Sequence, residues 1–403
     1  MKIFSPKNYY KAFEKYCSLS YLEYLNGSVQ SRMEQKKLFL KGKIKNPIFD
    51  YPDLKKTKVF LWWKNLIRLK SSVINQEKNT VLKKTCLEKI DSKITETKLL
   101  QSILEKDDPG FLKNNLKLYG KPPRKLYDFC LNYLNKGTGV YSAEELNRLL
   151  DIFQKSTQNK IDLFAKNISS KEIFNQNKIR IILDKAIKYA GVKQWKAKIS
   201  KNSRVGFILD HQRKIIVVPQ GKTLVNVKLK GILSHEIGIH LLRRIQGEKI
   251  GHPLFYLGLP NYERGEEGMG TLKEMTLERK GFNSDHIIIA LGICFALGYK
   301  SDSKRDFRSV FENILGLIIM FQTNLTKEEA INKAWNMCSR IFVVPHWKPE
   351  GLCLVRDYIY IDGVLRILGL MKKGGGKYLD LKIGKYDPAN KKHIDIVDKL
   401  SII

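Results

Sequence analysis

Residues 231–243 read Gly-Ile-Leu-Ser-His-Glu-Ile-Gly-Ile-His-Leu-Leu-Arg and hold two of the chain's seven histidines, His235 and His240. Apolar residues fill most of the positions between the polar ones, which predicts a buried helix. Glu236 directly follows the first histidine. Buried imidazoles and a buried carboxylate need polar partners, so this stretch is the candidate centre of a functional site.

The spacing of the two histidines is unusual for a zinc helix. The pattern is His-Glu-x-x-x-His, one residue longer than the familiar His-Glu-x-x-His helix. Five residues of a regular α-helix turn by about 500°, so His235 and His240 would point about 140° apart. Such a pair cannot reach one zinc ion at about 2.0–2.1 Å. We therefore expect a π-bulge here, made easier by Gly238.

A catalytic zinc ion bound by two histidines needs a third protein ligand and one open position for water. Glu267 is the best candidate, because it follows in chain order within the Gly265–Gly268 turn and begins a predicted helix that runs through Glu274. The sequence thus predicts one zinc ion, bound by the two histidines and Glu267. Glu236 is expected to take a proton from the water activated there and to pass it to the leaving amine.

The charge of the chain is strongly positive. Lys and Arg number 73 against 40 Asp and Glu, a formal net charge of +33. A field of that sign attracts nucleic acid, an anionic membrane surface or an acidic polypeptide. It is equally compatible with a lysine-rich composition spread over a solvated surface.

The composition and periodicity of the chain predict two regions. Residues 1–110 are rich in Lys, Leu and Ile with helical periodicity, which predicts a basic helical N-terminal region. Residues 111–403 are predicted to form the catalytic domain.

The six cysteines show no C-x-x-C pair, which is typical of reduced thiols in an intracellular protein. With no apolar leader and no apolar run long enough to span a bilayer, we expect a cytoplasmic location.

Within the second region the pattern predicts several elements. A hairpin is expected from Val205–Leu209 and Ile215–Val218. Residues 224–245 should be helical with Gly247 as the C-cap, residues 253–272 irregular, and Leu352–Ile361 a strand. Further helices are expected at 283–299, 305–321 and 326–340.

Four segments together resemble one known family. His235-Glu-Ile-Gly-Ile-His240 is similar to the HEIGTH-type motif of the microtubule-associated tyrosine carboxypeptidases and their bacterial QEGLA-motif relatives. The segments at 115–122, 266–270 and 356–363 match, in order, the family's L-Y-G-x-P, Q/E-E-G-L-A and T-K-D-x-x-Y-L-x-G elements. The resemblance covers roughly 110–390. The chain departs from the family pattern at Ile239, Gln246, Met269, Gly270 and just after Arg340, which we expect to affect substrate preference rather than the metal chemistry.

The resemblance implies a fold, a ligand set and a reaction. The fold class would be α+β and mostly α-helical, a gluzincin-like metallopeptidase domain with a small mixed β-sheet. His235, His240 and Glu267 would bind zinc and Glu236 would be catalytic, in agreement with the assignment from spacing. The reaction implied is hydrolysis of the C-terminal residue, preferably tyrosine or another aromatic, from an acidic tail such as that of tubulin.

Substrate-binding candidates follow from the chemistry of a terminal carboxylate, which the arginine fork binds bidentately. Arg340 is the first choice, and Arg243 and Arg356 are the other arginines near the motifs. Tyr360 is a candidate hydrogen-bond donor to a developing oxyanion. Each of these side chains also has a plain structural role open to it, in an ion pair or in packing.

Two alternatives to a peptidase remain. One is a basic nucleic-acid-binding protein whose His/Glu cluster is structural, although the sequence shows no zinc finger, RNP element or evident helix-turn-helix. The other is a protein that binds acidic tails without cutting them. The intact set of His235, Glu236, His240 and Glu267 favours the enzyme.

Overall fold

The computed structural model describes residues 7–25, 27–136, 140–168, 172–200, 206–278, 281–299, 303–343 and 350–402. The chain is mostly helical with two small sheets, as predicted for an α+β fold. Val205, which was expected to start the hairpin, lies outside the described residues.

The helices of the described residues are given in chain order. They are α1 Tyr10–Cys17, α2 Val29–Leu40, α3 Lys56–Gln76, α4 Thr80–Glu105, α5 Asp108–Tyr119, α6 Arg124–Lys136, α7 Ala143–Ser156, α8 Lys160–Lys166, α9 Gln176–Tyr189, α10 Asn226–Ile232, α11 Leu242–Ile250, α12 Pro253–Leu257, α13 Glu263–Glu278, α14 Ser284–Ala296, α15 Phe307–Phe321, α16 Lys327–Ile341, α17 Ile359–Lys372 and α18 Lys391–Lys399. A π-helix, Leu233–Leu241, joins α10 to α11.

Five short strands form the two sheets. They are β1 Phe174–Asn175, β2 Lys196–Ile199, β3 Ile208–Asp210, β4 Ile215–Val218 and β5 Thr223–Leu224. β4 pairs in parallel with β2 and antiparallel with β3, so the predicted hairpin is confirmed within a small mixed sheet. All four residues of β4 are buried, which fits a central strand.

The π-helix lies between two hydrophobic clusters. Ile239 packs in the cluster that contains α14 and α17, whereas Ile237 and Leu241 pack in the one that contains α9 and β4. Apolar burial on two sides fixes the rotation of this helix. Its polar side chains therefore face a third direction, toward α13.

The helical segment around the motif is longer than predicted. It continues to Ile250 and ends at Gly251, which has φ +92° and caps α11. Gly247 is not the C-cap. A Cβ there would lie 2.1 Å from the carbonyl oxygen of Phe255, so this glycine allows the close approach of α12.

Residues 253–272 are mostly helical rather than irregular: α12 and the first part of α13 lie here, and residues 258–262 connect them. Glycines at 265 and 268 suggested a turn. Within α13 they allow close packing instead, because a Cβ on Gly265 would lie 2.5 Å from the Asp387 side chain and one on Gly268 would lie 2.5 Å from the backbone of Gly363. The helical placement of Glu267 is confirmed, and its helix begins earlier, at Glu263.

The predicted strand at Leu352–Ile361 is wrong. The segment is a buried connection that passes into α17 through a 3-10 turn at Arg356–Tyr358. Its backbone groups bond elsewhere: Leu354 N donates to Ile341 O at 2.7 Å, and the Asn115 amide accepts from Val355 N at 3.3 Å. Because a helix end and a side chain satisfy these groups, the segment needs no neighbouring strand.

The N-terminal helices pack against the rest of the chain. Tyr10 of α1 lies edge-on to His252, with ring centroids 4.8 Å apart, and Glu14 forms a 2.7 Å ion pair with Arg244 of α11. Their apolar residues share one cluster with residues from α12 and α18. The boundary at residue 110 stays a prediction.

Two smaller expectations concern the cysteines and the membrane. All six cysteines are free and buried, as expected for reduced thiols. Among the described residues, no helix is both long and apolar enough to cross a bilayer.

Candidate metal centre

The predicted distortion of the motif helix is present. Leu233–Leu241 is a π-helix, whose i→i+5 hydrogen bonds bring residues five apart to one side. The rings of His235 and His240 lie 4.6 Å apart, nearly perpendicular. A Cβ on Gly238 would meet only ordinary contacts, at 3.5 Å from Asn159, so space does not require glycine at this position.

Each histidine is oriented by a carboxylate on α13. His235 Nδ1 lies 2.6 Å from Glu274 Oε1, and His240 Nδ1 lies 3.1 Å from Glu266 Oε1. A carboxylate only accepts, so each Nδ1 donates its hydrogen, and in a neutral imidazole the Nε2 atom then carries a lone pair. The two Nε2 atoms face each other at 2.9 Å. With both rings neutral, two lone pairs meet at this distance, and a proton or a metal ion between them would relieve their repulsion.

Glu267 completes a triangle of ligand atoms. Its Oε2 lies 3.5 Å from His235 Nε2 and 3.6 Å from His240 Nε2. Ligand atoms about 2.0–2.1 Å from a tetrahedral zinc ion lie about 3.3 Å from one another, so the triangle matches one such ion. Among the described residues, this trio is the one group of three His, Cys, Asp or Glu side chains close enough to bind a metal.

Two neighbouring cations set the charge state of Glu266, the carboxylate that supports His240. Arg243 donates a short hydrogen bond to Glu266 Oε2, and Lys385 Nζ lies 3.1 Å from Oε1. Burial alone would raise the pKa of Glu266, but these two cations hold it well below its usual value. Glu266 therefore stays ionised and keeps the His240 ring in the orientation that presents Nε2.

Burial and the nearby histidines change the pKa values of Glu236 and Glu267 in opposite directions. Burial raises the pKa of Glu236, partly offset by His235 and His240. Burial alone would raise the pKa of Glu267, but the adjoining His235 and His240 hold it well below its usual value. Glu267 is thus suited to act as an anionic ligand, and Glu236 to accept and hold a proton.

The three candidate arginines differ in what they can reach. The Arg243 side chain is 1% exposed and bonds Glu266 and the carbonyl of Tyr386, so its expected role in substrate binding does not fit the structure. Arg356 lies 3.5 Å from Glu267 Oε1, with its side chain 16% exposed. Arg340 is 40% exposed and pairs with Asp357 at 2.7 Å. Of the three, Arg340 is the most open to a ligand.

Tyr360 lies beside this arginine group. The guanidinium of Arg356 is 5.8 Å from its ring centroid, and His286 lies 4.8 Å from it, centroid to centroid. Burial raises the pKa of Tyr360, with a further increase from Glu267. Its phenol therefore stays protonated and can donate a hydrogen bond. His286, whose buried Nδ1 has no hydrogen-bond partner among the described residues, was not predicted.

Sequence reasoning missed the supporting residues Glu274 and Glu266. A signal for Glu274 existed, because seven residues of an α-helix turn by about 700° and return Glu274 to the face of Glu267. Gly270 also lies on this face, and a Cβ there would come within 2.4 Å of His235 Nε2. The departure at Gly270 therefore lies against a candidate ligand.

The other motif segments meet around α13. A Cβ on Gly363 of α17 would lie 2.1 Å from the Arg264 carbonyl oxygen, so Gly268 and Gly363 allow α13 and α17 to cross closely. Arg264 also donates to Tyr119 O at 2.5 Å, and Tyr358 OH donates to the same oxygen. Motif segments far apart in sequence thus converge on the helix that carries Glu267.

Comparison with models of known protein families gives a match. The family model described as microtubule-associated tyrosine carboxypeptidase matches residues 36–284, well over half of the chain. No curated protein matches the sequence. The chain belongs to the microtubule-associated tyrosine carboxypeptidase family.

Proposed function

We propose that the protein is a zinc-dependent carboxypeptidase that removes the C-terminal residue, preferably tyrosine or another aromatic, from a polypeptide with an acidic tail. One observation carries the proposal. The Nε2 atoms of His235 and His240 lie 2.9 Å apart, and the Glu267 carboxylate lies beside both. Family membership supports the carboxypeptidase class.

The donor set fits zinc. His235, His240 and Glu267 would hold the ion, with Glu274 and Glu266 orienting the histidines from behind. Zinc in such a site acts as a Lewis acid toward the scissile carbonyl and the attacking water. Glu236 would accept the proton of that water and transfer it to the departing amine. Tyr360 would donate its phenolic hydrogen to the oxygen on which negative charge develops.

Arg340 would bind the terminal carboxylate of the substrate. Asp357 lies between Arg340 and Arg356 and accepts from both, at 2.8 and 3.0 Å. Asp357 neutralises only one of the two guanidinium groups, so one positive charge remains beside the candidate ligand Glu267. The net charge of +33 would favour the approach of an acidic tail, such as the tubulin tail implied by the family name.

The decisive assay measures the residue released. The purified, zinc-loaded protein is incubated with acidic peptides that end in Tyr, Phe or Glu, and free amino acid is detected by mass spectrometry. We expect release of the aromatic residues, and a loss of about 100-fold or more in Glu236→Gln with its zinc content unchanged.

Glu248→Gln is the matched control, because Glu248 is a glutamate on the same helical run that pairs with Arg244. It should retain parent activity. Tail binding without cleavage in the parent protein would instead support a non-catalytic tail-binding protein, and undiminished cleavage in Glu236→Gln would remove Glu236 from its role.

A further inference from the structure

Helix α3 has a buried face and an apolar exposed stripe. Its buried residues, Val59, Trp62, Leu66, Leu69 and Val73, belong to the N-terminal hydrophobic cluster. On the exposed side lie Phe60, Trp63, Ile67 and Ile74, with exposed fractions of 58, 37, 39 and 47%. At 100° per residue these four fall within an arc of about 60°. We call them the α3 stripe.

The charge of α3 is entirely positive. The helix contains five basic residues and no acidic residue. Lys64 and Arg68, both exposed, project next to the stripe, within about 80° of Phe60 around the axis. The rings of Phe60 and Trp63 lie 5.7 Å apart, so the apolar surface is continuous at this end. Contiguous exposed apolar patches rimmed by polar residues are typical of protein or membrane interaction sites.

We propose that the α3 stripe binds the surface of an anionic lipid bilayer, with the helix lying in the plane of the headgroups. Aromatic and aliphatic side chains beside Lys and Arg are the composition of helices that lie at this interface. The rings and Ile67 would enter the boundary between headgroups and acyl chains. Lys64 and Arg68 would contact the anionic headgroups.

The positive charge of α3 and the exposed apolar side chains of the α3 stripe together favour a bilayer over a second copy of the chain or an acidic polypeptide. A second copy of the chain would bring Lys64 and Arg68 against the same cations, which is unfavourable. An acidic polypeptide would satisfy the cations but would leave Phe60, Trp63 and Ile67 with little to bury against. A bilayer with anionic lipids provides both the apolar layer and the opposite charge.

Vesicle sedimentation with the full chain tests the proposal. Vesicles of phosphatidylcholine alone are compared with vesicles containing about 30% phosphatidylserine, at low and physiological salt. We expect at least about tenfold stronger partitioning to the anionic vesicles, weakened by salt. Tryptophan emission should shift to the blue on binding, and this shift should be largely lost in Trp63→Phe.

Matched substitutions separate the stripe from general charge and hydrophobicity. Trp63→Ser/Ile67→Ser should lower partitioning about tenfold or more, whereas Ile319→Ser/Met320→Ser, at exposed apolar positions of α15, should not. Lys64→Glu/Arg68→Glu should weaken binding far more than Lys327→Glu/Lys392→Glu, which changes the net charge equally.

Three results would overturn the proposal. The first is equal partitioning to neutral and anionic vesicles. The second is an equal effect of the control pairs. The third is a stripe occupied by something else: a dimer that dissociates on Trp63→Ser/Ile67→Ser, or a polyglutamate peptide whose binding needs the stripe. None of these depends on peptidase activity, so the proposed reaction is tested separately.

Discussion

The Nε2 atoms of His235 and His240 lie 2.9 Å apart although the two histidines are five positions apart in the sequence. The π-helix brings them together, and Glu274 and Glu266 hold the opposite ring nitrogens. A proton or a metal ion between the two Nε2 atoms would relieve the repulsion of their lone pairs. Glu267, 3.5 and 3.6 Å away, adds the anionic charge that favours a divalent ion.

Glu274→Ala should weaken zinc binding. The substitution removes the carboxylate that bonds His235 Nδ1 at 2.6 Å, so the ring loses its fixed tautomer and orientation. Loss of such a supporting group typically lowers metal affinity about 10- to 100-fold. Competition with a chromogenic chelator measures the change. Glu278→Ala, one turn further along α13 and paired with Lys228, should bind zinc like the parent, and equal affinity in both variants would argue against the role of Glu274.

Arg340→Ala should raise KM with a smaller change in kcat. If Arg340 binds the terminal carboxylate, its removal costs a charge-assisted hydrogen bond, about 10- to 100-fold in kcat/KM. Steady-state kinetics on a Tyr-ending acidic peptide measure the effect. Arg366→Ala, which breaks the ion pair with Asp387 instead, is the control. If Arg340→Ala were as active as the parent, the carboxylate would have another anchor.

Gly363→Ala should destabilise the fold. The added methyl would lie 2.1 Å from the Arg264 carbonyl oxygen, and separating α13 from α17 costs about 1–3 kcal/mol of unfolding free energy. Gly369→Ala on the same helix is the control, because a Cβ there meets nothing within 4 Å. That substitution should be neutral or stabilise by about 0.5–1 kcal/mol. Urea denaturation gives both values, and an unaltered midpoint for Gly363→Ala would contradict the close crossing.

Acid should destabilise the protein through His393. Its Nδ1 accepts from Asp387 N at 2.9 Å and its Nε2 donates to Pro260 O at 3.0 Å, so the structure holds the neutral ring. Burial is the main cause that lowers its pKa to about 4, from 6.5. The unfolded chain therefore takes up a proton first as pH falls below 6.5. Stability from this group is complete above that pH and is lost between 6.5 and 4, by up to about 1.4 kcal/mol per pH unit.

Urea unfolding between pH 7.5 and 4.5 measures this slope. His393→Gln should be less stable at neutral pH, because it disturbs two hydrogen bonds, yet its stability should fall less steeply with acid. His252, whose pKa burial lowers to about 3, adds a slope of the same sign in both proteins. Parallel curves for parent and variant would show that His393 does not titrate as inferred.

The sequence alone determined the candidate ligands and the distortion of their helix. A spacing of five residues between His235 and His240 is a local covalent fact, and helix geometry turns it into a requirement for a π-bulge. The N-caps of α7 and α16 are likewise local, because the side chains of Ser142 and Thr326 each accept from the backbone N–H three residues further on. Such features depend on a few neighbouring residues, so periodicity and spacing can predict them.

Only the tertiary structure decided what surrounds the ligands. Gly268 suggested a turn but lies in a helix because Gly363, almost a hundred residues later, packs against it. Arg243 was a candidate for substrate binding but is buried against Glu266, and Leu354 bonds a helix end rather than a strand. In each case the deciding contact is made with a residue outside the local segment. The free energy of that contact outweighs the local conformational preference.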